Sequence, residues 1–373
     1  MLGTFGRGIY IVDDYSPVRV ATAATLTAAA TLYPVRDAVL YVPTLRYGLP
    51  GKAFQGEMLY TAENPPYGAA LTYHLKDEIK TLKQKRLDAE KEAEKAGKPI
   101  RYPSADELRA EADEEPPAIL LAVSGPMGTP VRVISGPIAK GLQRVAWDLR
   151  APAHQLPPNR PRSELEELFG DPLVGPYVAP GKYSVTLSQR VGGVVSPLAG
   201  PVTFNIVMDP QGVHTVAEES ARWQFQEKLQ ALRRDIAGSL ELANSTSTRL
   251  EAIRRALDAT PAAPRPLHDQ ARAVQRRLSA ILVELQGDRR LGARSVPTPV
   301  AISERANNIS SELHRALARP TTTHEQQFQI ASELFAVERS ALRGLVETDV
   351  PAIEKELERL GAPYTPGRIP LVN

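Results

Sequence analysis

The hydrophobic period of this sequence changes from two to 3.6 at Asp209-Pro210, so a single chain has to form two kinds of core. Upstream, from about residue 33, apolar residues alternate in short runs bounded by turn signals, as half-buried strands do. Leu71, Tyr73 and Leu75 share one face, then Ile119, Leu121 and Val123, then Val131 and Val133, then Val145, Trp147 and Leu149. Tyr183, Val185 and Leu187 follow the Pro180-Gly181 turn, and Phe204 and Ile206 close the series. With 38–42 and 54–60 this makes about eight strands, which predicts an immunoglobulin-like (Ig-like) β-sandwich over 33–208.

Downstream, 209–373 reads as an α-helical bundle. Thr215-x-x-Glu218 forms a capping box ahead of Phe225, Leu229, Leu232, Ile236, Leu240 and Ala243, and the stripe resumes at Leu250, Ile253 and Leu257. A second helix carries Leu267, Ala271, Val274, Leu278, Ile281 and Leu285 at four-three spacing, and Gly287 ends it. Thr298-Pro299 opens a third, with Ile302, Ala306, Ile309 and Leu313. Thr322-x-x-Glu325 caps a fourth, which runs through Phe328, Phe335, Leu342, Ile353 and Leu357, with Pro351 placed to kink or split it. Four amphipathic helices with moderate connections predict an antiparallel four-helix bundle. The fold class is therefore multidomain β plus α.

Two segments fall outside this division. Residues 76–115 carry 22 charged residues in 40, both signs mixed, with Gly97-Lys98-Pro99 in the middle and Ser104-Ala105-Asp106-Glu107 opening a second helix. They read as a helical hairpin inserted between strands: a solvated arm, or in the alternative an ordered coiled coil that binds a partner. At the other extreme, Ile9-Tyr10-Ile11-Val12 is an apolar run suited to an interior strand, with no hairpin partner apparent nearby. Residues 20–32 are threonine-rich and follow Asp13-Asp14 instead of a basic segment, so 1–32 reads as a strand end plus linker, without an export signal or membrane span.

Composition narrows the chemistry. The net charge of +2, from 45 Lys plus Arg against 43 Asp plus Glu, does not supply the field of a nucleic-acid binder. Cysteine is absent, which removes disulfides, thiol nucleophiles and thiolate metal sites. The six histidines (74, 154, 214, 268, 314 and 324) are scattered, with no metal-ligand spacing, and His74 alternates with Leu71, Tyr73 and Leu75 so as to face away from them. The Gly-Pro turns at 125–128 and 136–137 do not open a helix as phosphate loops do, and no nucleophile elbow occurs. Asp13 and Asp14 would point to opposite faces of a strand and so suit a turn better than paired acid–base work. Arginine pairs at 233–234, 254–255, 276–277 and 289–290 read as a solvated helix surface. Catalytic residues, cofactors and metals are thus all expected to be none. Tyr67, in the Asn64-Pro65-Pro66-Tyr67-Gly68 turn, is the one candidate for a carbohydrate contact by stacking, whereas Trp147 reads as core.

Several segments, in order, carry a resemblance. Thr4-Phe5-Gly6-Arg7-Gly8-Ile9-Tyr10-Ile11-Val12-Asp13-Asp14 resembles the "T-x-G-R-G-I-[YW]-[IV]-[IL]-D-D" stretch that closes the last blade of bacterial sortilin-type, BNR-repeat β-propeller proteins, often labelled glycosyl hydrolases. Asn64-Pro65-Pro66-Tyr67-Gly68-Ala69 with Tyr73-His74-Leu75-Lys76 resembles that family's "N-P-P-x-G-A…Y-x-L-K". Pro116–Leu121, Gly141-Leu142-Gln143-Arg144-Val145-Ala146-Trp147-Asp148-Leu149-Arg150 and Ala179-Pro180-Gly181-Lys182-Tyr183-Ser184-Val185 are similar to its following strands, and Gly361–Arg368 to its ending. The last of these strands also resembles the Ig-like domain of flagellar hook-capping proteins.

The resemblance implies structural roles for Gly6, Arg7, Gly8, Tyr10, Asp13, Asn64, Pro65, Gly68, Trp147, Asp148, Gly181 and Tyr183. It also implies that the N-terminal strand is a propeller remnant, since a propeller would need several hundred residues ahead of residue 1 and no Asp-box occurs here. The expected function is a non-catalytic C-terminal accessory and interaction module of such a protein. Its partner would be its own or a separate propeller domain, with a carbohydrate or protein ligand and no nucleic acid. The alternative is part of a glycoside hydrolase whose catalytic residues lie in the propeller. The family as a whole implies a secreted or periplasmic parent.

Overall fold

A computed structural model of the chain describes residues 2–4, 8–10, 14–43, 64–156, 161, 163, 174–314 and 317–368. The chain divides into two compact units, Met1–Pro152 with Pro176–Ala217, and Ala153–Gly175 with Glu218–Asn373.

In the first unit, β1 (Leu2–Thr4) and β2 (Gly8–Tyr10) form an antiparallel two-stranded sheet, with Gly3 opposite Ile9. This corrects the expectation that the run has no partner nearby: Ile9 and Tyr10 pair with the short Leu2–Thr4 segment, while Ile11 and Val12 lie outside the described residues. Two short helices follow, α1 (Ser16–Val20) and α2 (Ala23–Thr27), the latter closed by a capping box between Thr22 and Thr25.

The remaining strands are β3 (Ala30–Leu32), β4 (Ala38–Leu40), β5 (Ala69–Leu75), β6 (Ala118–Ser124), β7 (Pro130–Gly136), β8 (Gly141–Trp147), β9 (Gly181–Val191) and β10 (Val194–Met208). They make a five-stranded sheet of order β4-β10-β9-β6-β7 and a three-stranded sheet of order β3-β5-β8. The strand expected at 54–60 lies outside the described residues.

An Ig-like sandwich is not what these strands build. The five-stranded sheet curls into a half-barrel, and β4 pairs with β10 in parallel, whereas an Ig-like sandwich is made of antiparallel sheets. Alternation reveals which side of a strand is buried, but it carries no information about which strand lies beside it. The curl follows from β9 and β10, of 11 and 15 residues, whose register shifts between Pro197 and Ala199 and between Ala199 and Val202. Such irregularities bend and twist a ladder. Leu40, Leu71, Ile119, Leu121, Leu187 and Ile206 fill the interior. Strand β5, central in its sheet, buries Thr72 and His74 as well as Leu71 and Tyr73, so the outward orientation expected for His74 does not give it solvent. The edge strand β7 leaves Val133 exposed.

Between β5 and β6 stand α3 (Leu82–Lys95) and α4 (Ala105–Asp113), neither of which contributes a buried residue. The Ile79 N–H donates to the Ile138 carbonyl at the base of this arm. Replacing 81–114 with a short Gly/Ser linker should therefore keep cooperative unfolding and shift its free energy by no more than about 1 kcal/mol, because loop-closure cost changes slowly with length. A loss of several kcal/mol in urea titration would mean that the arm packs on the core.

The second unit contains α5 (Val216–Asp258), α6 (Arg265–Gln286), α7 (Arg289–Gly292), α8 (Ile302–His314), α9 (Thr322–Gly344) and α10 (Val350–Arg359). The expected stripe residues form one apolar cluster, including Leu229, Leu250, Leu278, Ile309, Phe335 and Leu357. The four-helix bundle is corrected nonetheless. Helix α5 runs unbroken for 43 residues, about 65 Å, against about 33 Å for the 22 residues of α6. Helices of such unequal length cannot pair end to end in an up-down bundle; a stripe gives each helix its buried face but not its neighbours. The last helix changes form just ahead of Pro351: Leu345–Asp349 widens into a π-turn, with Val350 N–H bonded to the Leu345 carbonyl, and the helix continues through Pro351 as α10. The fourth helix starts one residue earlier than its sequence suggested, with Thr321 as N-cap and His324 completing the reciprocal pair.

One pH response arises in this unit. Partial burial pushes the Glu338 carboxyl on α9 above its ordinary 4.5, and the like charge of Glu284 on α6 adds to the shift. The folded state then holds this proton more tightly than the unfolded chain, so stability is fullest below pH 4.5 and declines as pH rises through the raised value. Glu338→Gln should match the parent near pH 4 and exceed it by a few tenths of a kcal/mol at pH 7, read as a flatter pH profile of the unfolding midpoint.

Candidate functional site

Of the residues that the sequence resemblance singled out, Gly68, Trp147, Asp148 and Tyr183 meet around one turn. Ala69 pairs with Trp147 where β5 and β8 begin and end, and Gly68 lies just before it at φ +111°. A Cβ on Gly68 would stand 1.8 Å from the Trp147 carbonyl oxygen, so only glycine lets the two segments approach. The Trp147 ring is buried and packs on Tyr183, with centroids 5.6 Å apart, and on Phe204 at 6.3 Å. Its indole N–H donates to the Arg150 carbonyl at 2.9 Å, while Asp148 Oδ1 accepts from the Arg150 N–H at 3.2 Å. Both backbone groups of Arg150 are thus held by the two residues that precede Leu149, a buried leucine at φ +56°. Left-handed backbone at a non-glycine costs about 1–3 kcal/mol and persists only where the surroundings fix it. Trp147 and Asp148 supply that restraint.

On the far side of this turn, the Arg150 guanidinium lies 3.5 Å from the centre of the Tyr177 ring, and Val178 N–H and Leu149 carbonyl close a backbone bridge. Tyr177 meets Tyr67 edge-on at 6.0 Å, and Tyr67 meets Tyr41 edge-on at 4.8 Å. The Tyr67 hydroxyl accepts from the Tyr41 N–H at 3.2 Å. Burial raises the Tyr67 phenol well above its ordinary value and lowers the Arg150 guanidinium from its own. Both shifts report desolvation inside an aromatic cluster. Tyr183 donates its hydroxyl to Ala179 at 2.7 Å and fixes the turn into β9, whose first residue, Gly181, pairs with Ile206. Asn64 and Pro65 are exposed on the approach to Gly68. Gly8 and Tyr10 belong to β2, while Gly6, Arg7 and Asp13 lie outside the described residues. Asp14 accepts from the Ser16 N–H; burial would raise its carboxyl, but that bond with the nearby Arg144 and Arg36 brings it below its ordinary value. That is turn chemistry.

The arm is the second feature. The guanidinium of Arg86 clasps Glu111 through Nε and Nη2, at 2.5 and 2.9 Å, and reaches Glu90 through Nη1 at 2.7 Å. Its hydrogen bonds hold the Glu111 carboxyl below the usual range. Leu82 N–H donates to Glu114, so the start of α3 lies beside the end of α4 and the two helices run antiparallel. Thr81 caps α3, and Ser104 with Glu107 forms the box that opens α4. Between them is a groove of about 410 Å³ floored by Leu82, Ala89, Ala93, Pro99, Pro103 and Ala110.

A third feature went unread in the sequence. In the second unit a recess of about 270 Å³ opens beside Arg233, Asn244, Ser303, Asn307 and His154. Arg233 is buried, donating to Asn307 at 3.1 Å and Ser310 at 2.7 Å, whereas the other members of the arginine pairs are exposed as expected. Nothing in its sequence neighbourhood sets Arg233 apart except its place four residues after Leu229 and three before Ile236, on the buried stripe. Glu219 and Arg222 likewise form an ion pair inside the fold, 2.7 Å apart. Among the described residues, no group of three or more His, Cys, Asp or Glu is placed to hold a metal ion, and no helix is long and apolar enough to cross a membrane. No family model, curated protein or solved structure matches this chain, so its own geometry has to carry the functional reading.

Proposed function

We propose that the chain is a non-catalytic accessory and interaction module of a BNR-repeat, sortilin-like β-propeller protein. One observation supports this reading above the others: four of the residues that carry the family resemblance, Gly68, Trp147, Asp148 and Tyr183, are engaged in building the scaffold. Gly68 admits the Trp147 backbone, Trp147 and Asp148 hold the Arg150 turn, and Tyr183 closes the turn into β9. Tyr67 points its hydroxyl at Tyr41 and sets its ring against two other tyrosines, which suits packing better than capture of a sugar. Residues so used give shape and stiffness to a support, and function then lies in surfaces and not in these side chains.

Two measurements test the reading together. The purified chain should release no sugar from a panel of aryl glycosides and polysaccharides. It should also bind a separately produced BNR-repeat propeller of the same parent protein with a measurable heat in titration calorimetry. Turnover that co-purifies with the chain and disappears on a single carboxylate substitution would instead favour the hydrolase. Absence of propeller binding with both proteins at about 100 μM, where a complex of micromolar Kd would be nearly fully formed, would remove the accessory role.

A further inference from the structure

The α3–α4 arm has a pattern that the accessory role does not use. Along α3 the groove is lined by Leu82, Arg86, Ala89, Glu90 and Ala93; Leu82, Arg86, Ala89 and Ala93 are spaced four, three and four residues apart, and Glu90 stands on their flank, bonded through Oε1 to Arg86. That is the 3.5-residue repeat of a coiled-coil seam, with Leu82 and Ala89 at d and Arg86 and Ala93 at a. Two helices of 14 and 9 residues are too short to cover such a seam alone, and no residue of either is buried. The alanines leave room for the backbone of a third helix.

The charges beside the seam identify that helix. Lys83 and Lys85 flank its first half at e and g; Glu90 and Glu92 flank its second half at the next e and g. In a parallel, in-register pair, g faces e′ of the next heptad, so Lys85 would meet Glu90 of the other copy, but Arg86 at a would lie against the other Arg86, like charge on like charge in the middle of the seam. In an antiparallel pair of identical helices, e faces e′ and g faces g′. Lys83 then meets Glu90 of the other copy, and Lys85 meets its Glu92, each contact occurring twice by symmetry. The same register sets Leu82 over Ala93 of the other copy, large against small, and Arg86 beside its Ala89. One arrangement satisfies both the seam and its flanks.

We propose that the arm is a homotypic docking surface, in which α3 of one copy lies antiparallel in the α3–α4 groove of a second copy. The contact is short, since α3 spans about 21 Å, so the association belongs among weak, concentration-dependent ones. It is independent of any propeller and of glycoside chemistry.

The test uses the full chain. Sedimentation equilibrium from 10 to 500 μM in low salt should show a reversible dimer that weakens as salt rises. Lys83→Glu with Lys85→Glu should weaken the dimer roughly tenfold or more, since every flanking contact becomes acid against acid. Glu90→Lys with Glu92→Lys should do the same with base against base. Mixing these two double variants should restore association in a one-to-one complex, because each contact is again of opposite sign; circular dichroism on each variant verifies that the helices remain. A chain that stays monomeric at 500 μM in low salt overturns the proposal, as does a dimer indifferent to both double variants, or a mixture that fails to associate.

Discussion

Trp147→Ala is expected to lower the unfolding free energy of the first unit by about 3–5 kcal/mol, the cost of deleting a large buried aromatic. Trp147 is 1 % exposed and holds Tyr183 and Phe204 together, so its removal opens a cavity where three strands meet. Trp147→Phe separates two contributions. It restores most of the bulk but leaves the Arg150 carbonyl without its indole donor, which by itself should cost about 1–3 kcal/mol. Urea unfolding followed by circular dichroism would give the alanine variant a much lower midpoint and the phenylalanine variant an intermediate one. Equal midpoints for phenylalanine and the parent would show that the indole bond does not support the Leu149 turn.

That turn marks the limit of what the sequence discloses. Val145, Trp147 and Leu149 alternate, and read alone they are three inward residues of one strand. In the structure β8 stops at Trp147, and Leu149 is buried by a left-handed turn, with its neighbours' side chains supplying the restraint. Burial was legible at each of these positions, because apolar character fixes it. The path of the backbone between them was not, because it depends on Tyr177, Gly68 and Arg150, which lie on distant segments or look polar.

The same distinction runs through the whole chain. The stripes from Leu229 to Leu257 and from Leu267 to Leu285 are buried as read, since a 3.6-residue period leaves little freedom in the face a helix turns inward. The antiparallel four-helix arrangement drawn from them was wrong, because helix length and neighbour choice are settled by packing that no single stripe encodes. For the strands, alternation placed Leu71, Ile119, Val185 and Ile206 inside. It could not foresee that β4 runs parallel to β10, a pairing between segments more than 160 residues apart in sequence. The groove of the arm was hidden for a different reason. Its floor is alanine and proline, residues too small or too turn-prone to register as an apolar stripe among 22 charges.

Gly68→Ala should be the most damaging conservative change in the first unit, and a second glycine shows why. Gly97, between the helices of the arm, also has positive φ, at +64°, but a Cβ there meets nothing within 4 Å. Gly97→Ala therefore tests backbone preference alone, about 1–2 kcal/mol for a left-handed residue, felt as local fraying of an arm whose loss costs the unit no more than about 1 kcal/mol. Gly68 adds a contact of 1.8 Å with the Trp147 carbonyl oxygen and 2.7 Å with its carbon. Those atoms belong to the β5–β8 ladder and cannot swing away as the end of a flexible side chain would. Relief requires the Asn64–Gly68 approach to lift from β8, which removes the Ala69–Trp147 pairing and separates Tyr67 from Tyr177. The expected loss is about 4 kcal/mol or more, beyond the range of ordinary substitutions. In parallel urea titrations Gly97→Ala should stay near the parent midpoint while Gly68→Ala falls far below it. Similar midpoints for the two variants would mean that the Gly68 segment can move off β8 at little cost, and that the junction of the family-like segments is not the rigid element on which the proposed support depends.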